Sequence, residues 1–186
     1  ASNSHPKKIR IIKPSKDYLR VMVIDSGINP MDDFVTKKLC KHTPYKDLTE
    51  TGMQDEDNHG SLVLSLLTKH ALDSPYCLHV IKYHDGKSGR HIGGKRFLQA
   101  MELVNKLKPD IVNISSGGTS YEGQELNVIK NNPKTIFMTA AGNENESLDE
   151  PGVHYYPASY AYFDNIFNVK VIGALDEYGK KLHSSN

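Results

Sequence analysis

The sequence predicts an α/β fold: a three-layered, doubly wound parallel sheet with helices on its faces. Three observations predict it. Short apolar runs rich in β-branched residues recur along the 186 residues, and each stops at a small or polar turn residue. Between them lie stretches whose apolar residues return every three or four positions, the period of a helix face. The composition, 38% hydrophobic and 24% charged, suits one domain with a sizeable core.

The first strand is read in Tyr18 to Ile24, which ends at Asp25-Ser26-Gly27. A helix over 60–69 follows, with Leu62, Val63, Leu66 and Leu67 expected on its inward face. Leu78 to Tyr83 repeats the strand pattern. Phe97, Leu98, Met101, Val104 and Leu107 then define a second helix, and strands follow at Ile111–Ile114, Thr135–Ala140 and Ile166–Ile172. Strands separated by helices cannot form hairpins, so they pair in parallel and are covered by those helices. In such sheets function gathers at the carboxyl ends of the strands. Residues 1–17 read as a polar N-terminal arm carrying the basic cluster Lys7-Lys8-Ile9-Arg10, and residues 18–186 as the domain.

Bulk properties exclude several partner classes. Lys plus Arg number 23 against 22 Asp plus Glu, so no field of one sign argues for nucleic acid or an anionic membrane. No apolar run approaches the length of a membrane span. Cys40 and Cys77 are the only cysteines. They form one disulfide or remain two buried thiols, because sequence does not give their distance.

Three polar residues stand at predicted strand ends or helix starts. Asp25 follows the first strand directly, as a turn cap or as a carboxylate held at the sheet rim. His59 opens a helix after Asp55-Glu56-Asp57-Asn58; no second histidine stands at helical spacing, so a metal site is not expected. Asn143 ends Ala140-Ala141-Gly142-Asn143, where its side-chain amide can turn the chain or face a developing negative charge.

Taken in order, Val23-Ile24-Asp25-Ser26-Gly27, Asn58-His59-Gly60-Ser61, Asn113-Ile114-Ser115-Ser116-Gly117-Gly118 and Ala140-Ala141-Gly142-Asn143 resemble the subtilisin-like serine proteases. The order Asp, His, Ser is that of this type, against other orders in the unrelated chymotrypsin-type and α/β-hydrolase triads. The resemblance implies that Asp25 is the orienting acid, His59 the general base and Asn143 an oxyanion donor. It implies that Ser115, Ser116, Gly117 and Gly118 line the cleft as a substrate-binding wall, with residues 78–92 opposite. A polypeptide substrate and a secreted or extracytoplasmic home follow from the same likeness, although two cysteines also suit the cytosol.

The likeness departs from the family at three places. Ser120 lies in Gly118-Thr119-Ser120, which resembles the nucleophile motif, but Tyr121-Glu122-Gly123-Gln124 does not continue it. Ser120 is therefore expected in a loop or at a helix cap. The nucleophile is expected beyond Asn186, on a segment that would also cover an apolar face running from Leu62 to Leu67 and along 135–140; an oligomer partner is the other candidate cover. Ser61 stands where threonine is usual. The calcium loop common after His59 is not evident, so no cofactor is expected, while a structural calcium near acids 55–57 stays open. The rival to a peptidase is a non-catalytic pseudoprotease that holds an extended peptide on the wall by β-pairing. A nucleotide-binding domain ranks last, for want of a Gly-x-Gly-x-x-Gly after the first strand.

Overall fold

The computed structural model describes residues 18–87, 89–163 and 165–186. The N-terminal arm, its basic cluster and Ser88 in the expected opposite wall lie outside the described residues. Six strands form one parallel sheet in the order β2-β3-β1-β4-β5-β6: β1 (Leu19–Asp25), β2 (Tyr45–Asp47), β3 (Tyr76–Lys82), β4 (Ile111–Ile114), β5 (Ile136–Ala140) and β6 (Val169–Ile172). The helices are α1 (Asp33–Thr36), α2 (His59–His70), α3 (Arg90–Leu107) and α4 (Gly123–Asn131), with a short 3-10 turn at Ala158–Tyr162. From β1 the chain crosses to the edge at β2, comes back to lay β3 between the two, then crosses past β1 to build β4, β5 and β6 outward on the other side. The order reverses at β1, so the crevice of this sheet opens above the carboxyl end of β1, where Asp25 sits.

One face is fully clad. Met22, Ile24, Ile81, Val112, Ile114, Phe137 and Val169 point into a cluster closed by Ala100, Met101 and Val104 of α3 and by Leu126, Val128 and Ile129 of α4. On the other face, Val21, Val23, Leu78 and Val80 pack under Leu64 of α2 and Val35 of α1. This second layer stops short. Every residue of β3 is buried, whereas β4 and β5 alternate buried with half-buried positions. A groove of about 500 Å³ runs across that second face, lined by Leu19, Leu67, Ile111, Met138, Ala140 and Ile172 among others. The third layer predicted from sequence is thus present beneath β1 and β3 and open beneath β4 and β5.

The helix at 59–70 turns a different stripe inward from the one expected. Gly60, Leu64 and Thr68 are buried, Val63 and Leu67 are half-buried, and Leu62 and Leu66 are 61% and 49% exposed. Gly60 must face in because a Cβ there would stand 2.7 Å from the Gly27 carbonyl oxygen. That contact sets the rotation of the whole helix and turns Leu62 and Leu66 out.

Cys40 and Cys77 are joined by a disulfide, which decides between the two alternatives left open by sequence. Lys82, fully buried, sends its ammonium to the carbonyl oxygens of Gly52 (3.1 Å) and Gln54 (2.6 Å). It holds the loop that leads into α2. Lys82→Met is expected to lower stability by about 1–2 kcal/mol, since two carbonyls lose a charged donor in an exposed loop where water partly replaces it. Chemical denaturation measures it, and an unchanged midpoint would remove Lys82 from this role.

Candidate active site

At the end of β1, Asp25 is buried and its Oδ1 collects donors from three directions. The Ser26 backbone N–H lies at 2.8 Å, the Ser26 hydroxyl at 3.2 Å and His59 Nδ1 at 2.7 Å. Oδ2 is buried too, with no hydrogen-bond partner among the described residues. The Ser26 hydroxyl oxygen also accepts the Gly60 N–H at 2.9 Å, which ties the first turn of α2 to the strand end. His59 is thereby anchored twice, through its ring and through the backbone beside it.

The loop before His59 is organised by Asp55, a residue that sequence reading grouped only as one of several acids. Its Oδ1 accepts the N–H groups of Asp57 (3.1 Å) and Asn58 (2.9 Å), and its Oδ2 accepts Ser61 N–H at 2.7 Å. Asp55 therefore caps α2, and Asn58, in a left-handed conformation with φ of 67°, makes no side-chain cap. Burial works to raise the Asp55 pKa, but hydrogen bonding from Ser61, with Ser26 and the Asn58 N–H behind it, outweighs burial and holds the carboxyl below the ordinary range. Glu56 pairs with Lys87. The signal available in sequence was an aspartate six residues before an N–H of the first helical turn.

The His59 side chain is 49% exposed. Burial works to lower its pKa, but the hydrogen bond and charge of Asp25, with Asp57 and Asp55 behind, outweigh it and raise the pKa above the ordinary value. Because an ionised carboxylate only accepts, the Nδ1 position carries the proton and Nε2 keeps its lone pair. The ring is a base poised toward solvent.

Ser115, Ser116, Gly117 and Gly118 leave the end of β4, the strand beside β1. Gly118 exchanges two backbone bonds with Tyr156, at 2.9 and 2.6 Å, in an antiparallel bridge. A Cβ at Gly117 would meet the Tyr155 ring and the Tyr156 carbonyl oxygen at 2.5 Å, so only glycine lets this pairing close. Nothing lies within 4 Å of the place a Cβ of Gly118 would take. Ser115 accepts from Asn113 Nδ2 at 2.8 Å, and Ser116 accepts from the Tyr83 hydroxyl at 2.9 Å. Tyr83 in turn donates its N–H to the Asp25 carbonyl at 3.0 Å, so one residue links the wall to the acid. Sequence reading placed Tyr83 only at a strand end.

Asn143 follows β5, next in the sheet after β4, and is exposed. Its loop is fixed from afar: the Asn186 side chain accepts from Glu144 N–H (2.9 Å) and Glu146 N–H (3.0 Å) and donates to the Ala141 carbonyl (3.2 Å). The structure thus brings Asp25 and His59 into direct contact and sets Ser115–Gly118 and Asn143 at the carboxyl ends of the neighbouring strands. Ser120 is exposed in the loop before α4.

Solved structures share this fold at low identity. The crystal structure of a lanthipeptide protease matches with a TM-score of 0.68 and 20% identity over 90% of this chain and 52% of that one. The nisin leader peptidase NisP from Lactococcus lactis matches with 0.69 and 17% over 94% of this chain and 60% of that one. The epidermin leader peptide processing serine protease EpiP from Staphylococcus aureus gives 0.68 and 18% over 93% and 50%. The chain spans between half and three fifths of the length of these proteins. No curated protein sequence matches it. The subtilase family model, by contrast, runs unbroken from residue 17 to residue 186, across the strand ends just described. The chain belongs to the subtilase family.

Proposed function

We propose that residues 18–186 are part of the catalytic domain of a serine endopeptidase, with the nucleophilic serine supplied by sequence outside these residues. The observation that carries the reading is the 2.7 Å contact between His59 Nδ1 and the buried Asp25 carboxylate, with the other side of the ring toward solvent. In this reading Asp25 fixes the tautomer and stabilises the imidazolium. His59 Nε2 takes the serine proton as the hydroxyl attacks the peptide carbonyl, then delivers it to the leaving amine. Asn143 donates its side-chain N–H to the oxyanion; water, deprotonated by His59 in turn, then attacks the acyl-enzyme ester, and the serine oxygen leaves with that proton as the new carboxyl product departs. The free backbone of Ser115 to Gly117 pairs with an extended polypeptide substrate on the edge opposite Tyr156. No cofactor enters these steps. The Cys40–Cys77 disulfide supports an oxidising, extracytoplasmic home.

The open groove supports the same reading. An apolar sheet face needs a cover, and burial stabilises by roughly 25 cal/mol per Å². The segment bearing the serine is the cover proposed, consistent with relatives that are longer than this chain. Residues 1–186 alone are expected to bind a hydrophobic dye or to self-associate in sedimentation. A dye-silent monomer that melts cooperatively would count against a missing cover.

A fluorophosphonate probe tests the chemistry. The full-length protein is expected to take one equivalent on one serine, to lose labelling in His59→Ala, and to keep it in Ser120→Ala. A full-length protein that binds an extended peptide yet takes no label is a pseudoprotease, and the proposal fails.

A further inference from the structure

We infer that reduction of the Cys40–Cys77 disulfide opens a binding site for a thiophilic divalent cation of the zinc class, with Cys40, Cys77 and His79 as its protein ligands. These residues take no part in the peptidase reading. All three are buried, and their ligand atoms lie within 4.8 Å of one another.

Backbone topology makes this cluster. Cys77 and His79 stand two apart on β3 and so project from the same face. Along the outer edge of β3, Leu78 N–H donates to the Lys38 carbonyl and the Leu78 carbonyl accepts from Cys40 N–H, both at 2.8–2.9 Å. The next bond on that edge joins Val80 N–H to the Pro44 carbonyl at 2.9 Å, where β2 begins. The chain between, residues 41–43, therefore loops out, passing through a left-handed φ of 49° at Thr43. Cys40 enters the loop beside Cys77. Thr43 leaves it with its carbonyl oxygen 2.8 Å from His79 Nδ1.

That last contact decides the chemistry of His79. A carbonyl can only accept, so Nδ1 carries the hydrogen and Nε2 holds a lone pair. Metal-bound histidines are oriented by this kind of bond from the second ring nitrogen to a carbonyl. Two thiolates and one imidazole are a zinc-type donor set, and three protein ligands leave a fourth position for water. In a tetrahedral site with Zn–S of about 2.3 Å the two sulfurs would stand roughly 3.7 Å apart, so they need only move from bonding to contact distance.

The redox step balances with a thiol reductant. Two thiols of the reductant become its disulfide and give two electrons to the Cys40–Cys77 bond; each protein sulfur takes up one proton. Metal binding then releases both protons to solvent as two Sγ–metal bonds and one nitrogen–metal bond form. The two states exclude each other: an oxidising compartment closes the site and a reducing one opens it.

The test uses full-length protein reduced in chelator-treated buffer and titrated with Cd²⁺. Reduced protein is expected to saturate at one Cd²⁺ per chain with thiolate-to-cadmium charge-transfer absorption, to yield the metal to Zn²⁺, and to bind at least tenfold more weakly as His79→Ala. Oxidised protein should take up none. The inference is overturned by no saturable binding in the reduced protein, by equal binding in His79→Ala, or by equal binding in the oxidised protein. Where reduction unfolds the chain, Cd²⁺ must restore the native circular dichroism; failure to do so also overturns it. Peptidase activity is not a readout, so this outcome is independent of the proposed function.

Discussion

Asp25→Ala in the full-length protein is expected to lower kcat by roughly 10⁴, the order seen when a triad acid of this type is removed. The geometry says what is lost. His59 is held by the 2.7 Å bond to Oδ1 and, through Gly60, by the Ser26 hydroxyl, which itself bonds Oδ1 at 3.2 Å, so both anchors lean on the carboxylate. Without Asp25 the ring is free to protonate at either nitrogen, and the imidazolium formed during attack has no countercharge. Asp25→Asn separates these two losses. The Ser26 N–H cannot turn away, so the amide oxygen takes the Oδ1 position and keeps both the Ser26 bond and the His59 tautomer. The NH₂ then falls at Oδ2, which is buried and without a partner. The asparagine variant should therefore lose less than the alanine variant, and its loss reports the missing charge together with an unpaired buried NH₂.

The pH profile supplies the second readout. In the proposed cycle His59 must be neutral to act as base, and its raised pKa rests on the bond and charge of Asp25 working against burial. Removing that charge should move the acid limb of kcat/KM to lower pH. A loss under tenfold in Asp25→Ala, or an unmoved limb in both variants, would end the assignment of Asp25 as orienting acid.

Much of this fold was legible because β1 and β4 carry apolar, β-branched runs, interrupted only by Arg20 and Asn113, that end on turn residues, and both strands lie within a residue of the expected place. β2 escaped notice: three residues, Tyr45–Asp47, give no period to read. α4 escaped for another reason, since it opens on Gly123 with no side-chain cap and buries a glutamate among Leu126, Val128 and Ile129. The pattern alone placed Asp25 and His59 each at the end of an element; their pairing could be anticipated only from the resemblance of their motifs to the subtilisin-like proteases. Asp55, Tyr83 and Asn186 could not. Their work lies in bonds to backbone groups or side chains across the fold, and nothing local in sequence announces which N–H a carboxylate will meet.

Glu125, the glutamate buried in α4, sets the second large expected effect: stability should fall by about 3 kcal/mol as pH rises from 4.5 to about 7, and level off above. Burial is the main cause, raising its pKa to about 7; the Tyr160 hydrogen bond opposes this and the nearby Glu122 charge adds to it. The sign follows from proton counts. Between the unfolded value and about 7 the folded chain holds a proton that the unfolded chain has lost, so each step up in pH favours unfolding. The hydrogen bonds show why the neutral form fits. Tyr160 Oη accepts Glu122 N–H at 3.1 Å and has one hydrogen to give, to the Glu122 carbonyl at 3.0 Å or to Glu125 Oε2 at 3.1 Å. A protonated Glu125 donates to that hydroxyl and leaves its hydrogen for the carbonyl, so all three groups are satisfied. An ionised Glu125 claims the hydrogen, strips the carbonyl, and still has a buried Oε1 with no partner among the described residues. Tyr160 also packs on Tyr156, which pairs with Gly118, so the strain would fall beside the segment Ser115–Gly118. Glu125→Gln keeps an amide N–H donor toward Tyr160 and cannot ionise. Denaturant melts at pH 5 and pH 8 should show the variant more stable than the parent at pH 8 by up to about 3 kcal/mol and little different at pH 5. His59, whose pKa is also raised, contributes stability lost with rising pH in both proteins and cancels in the difference. Equal pH slopes in parent and variant would show that Glu125 is not the group that titrates.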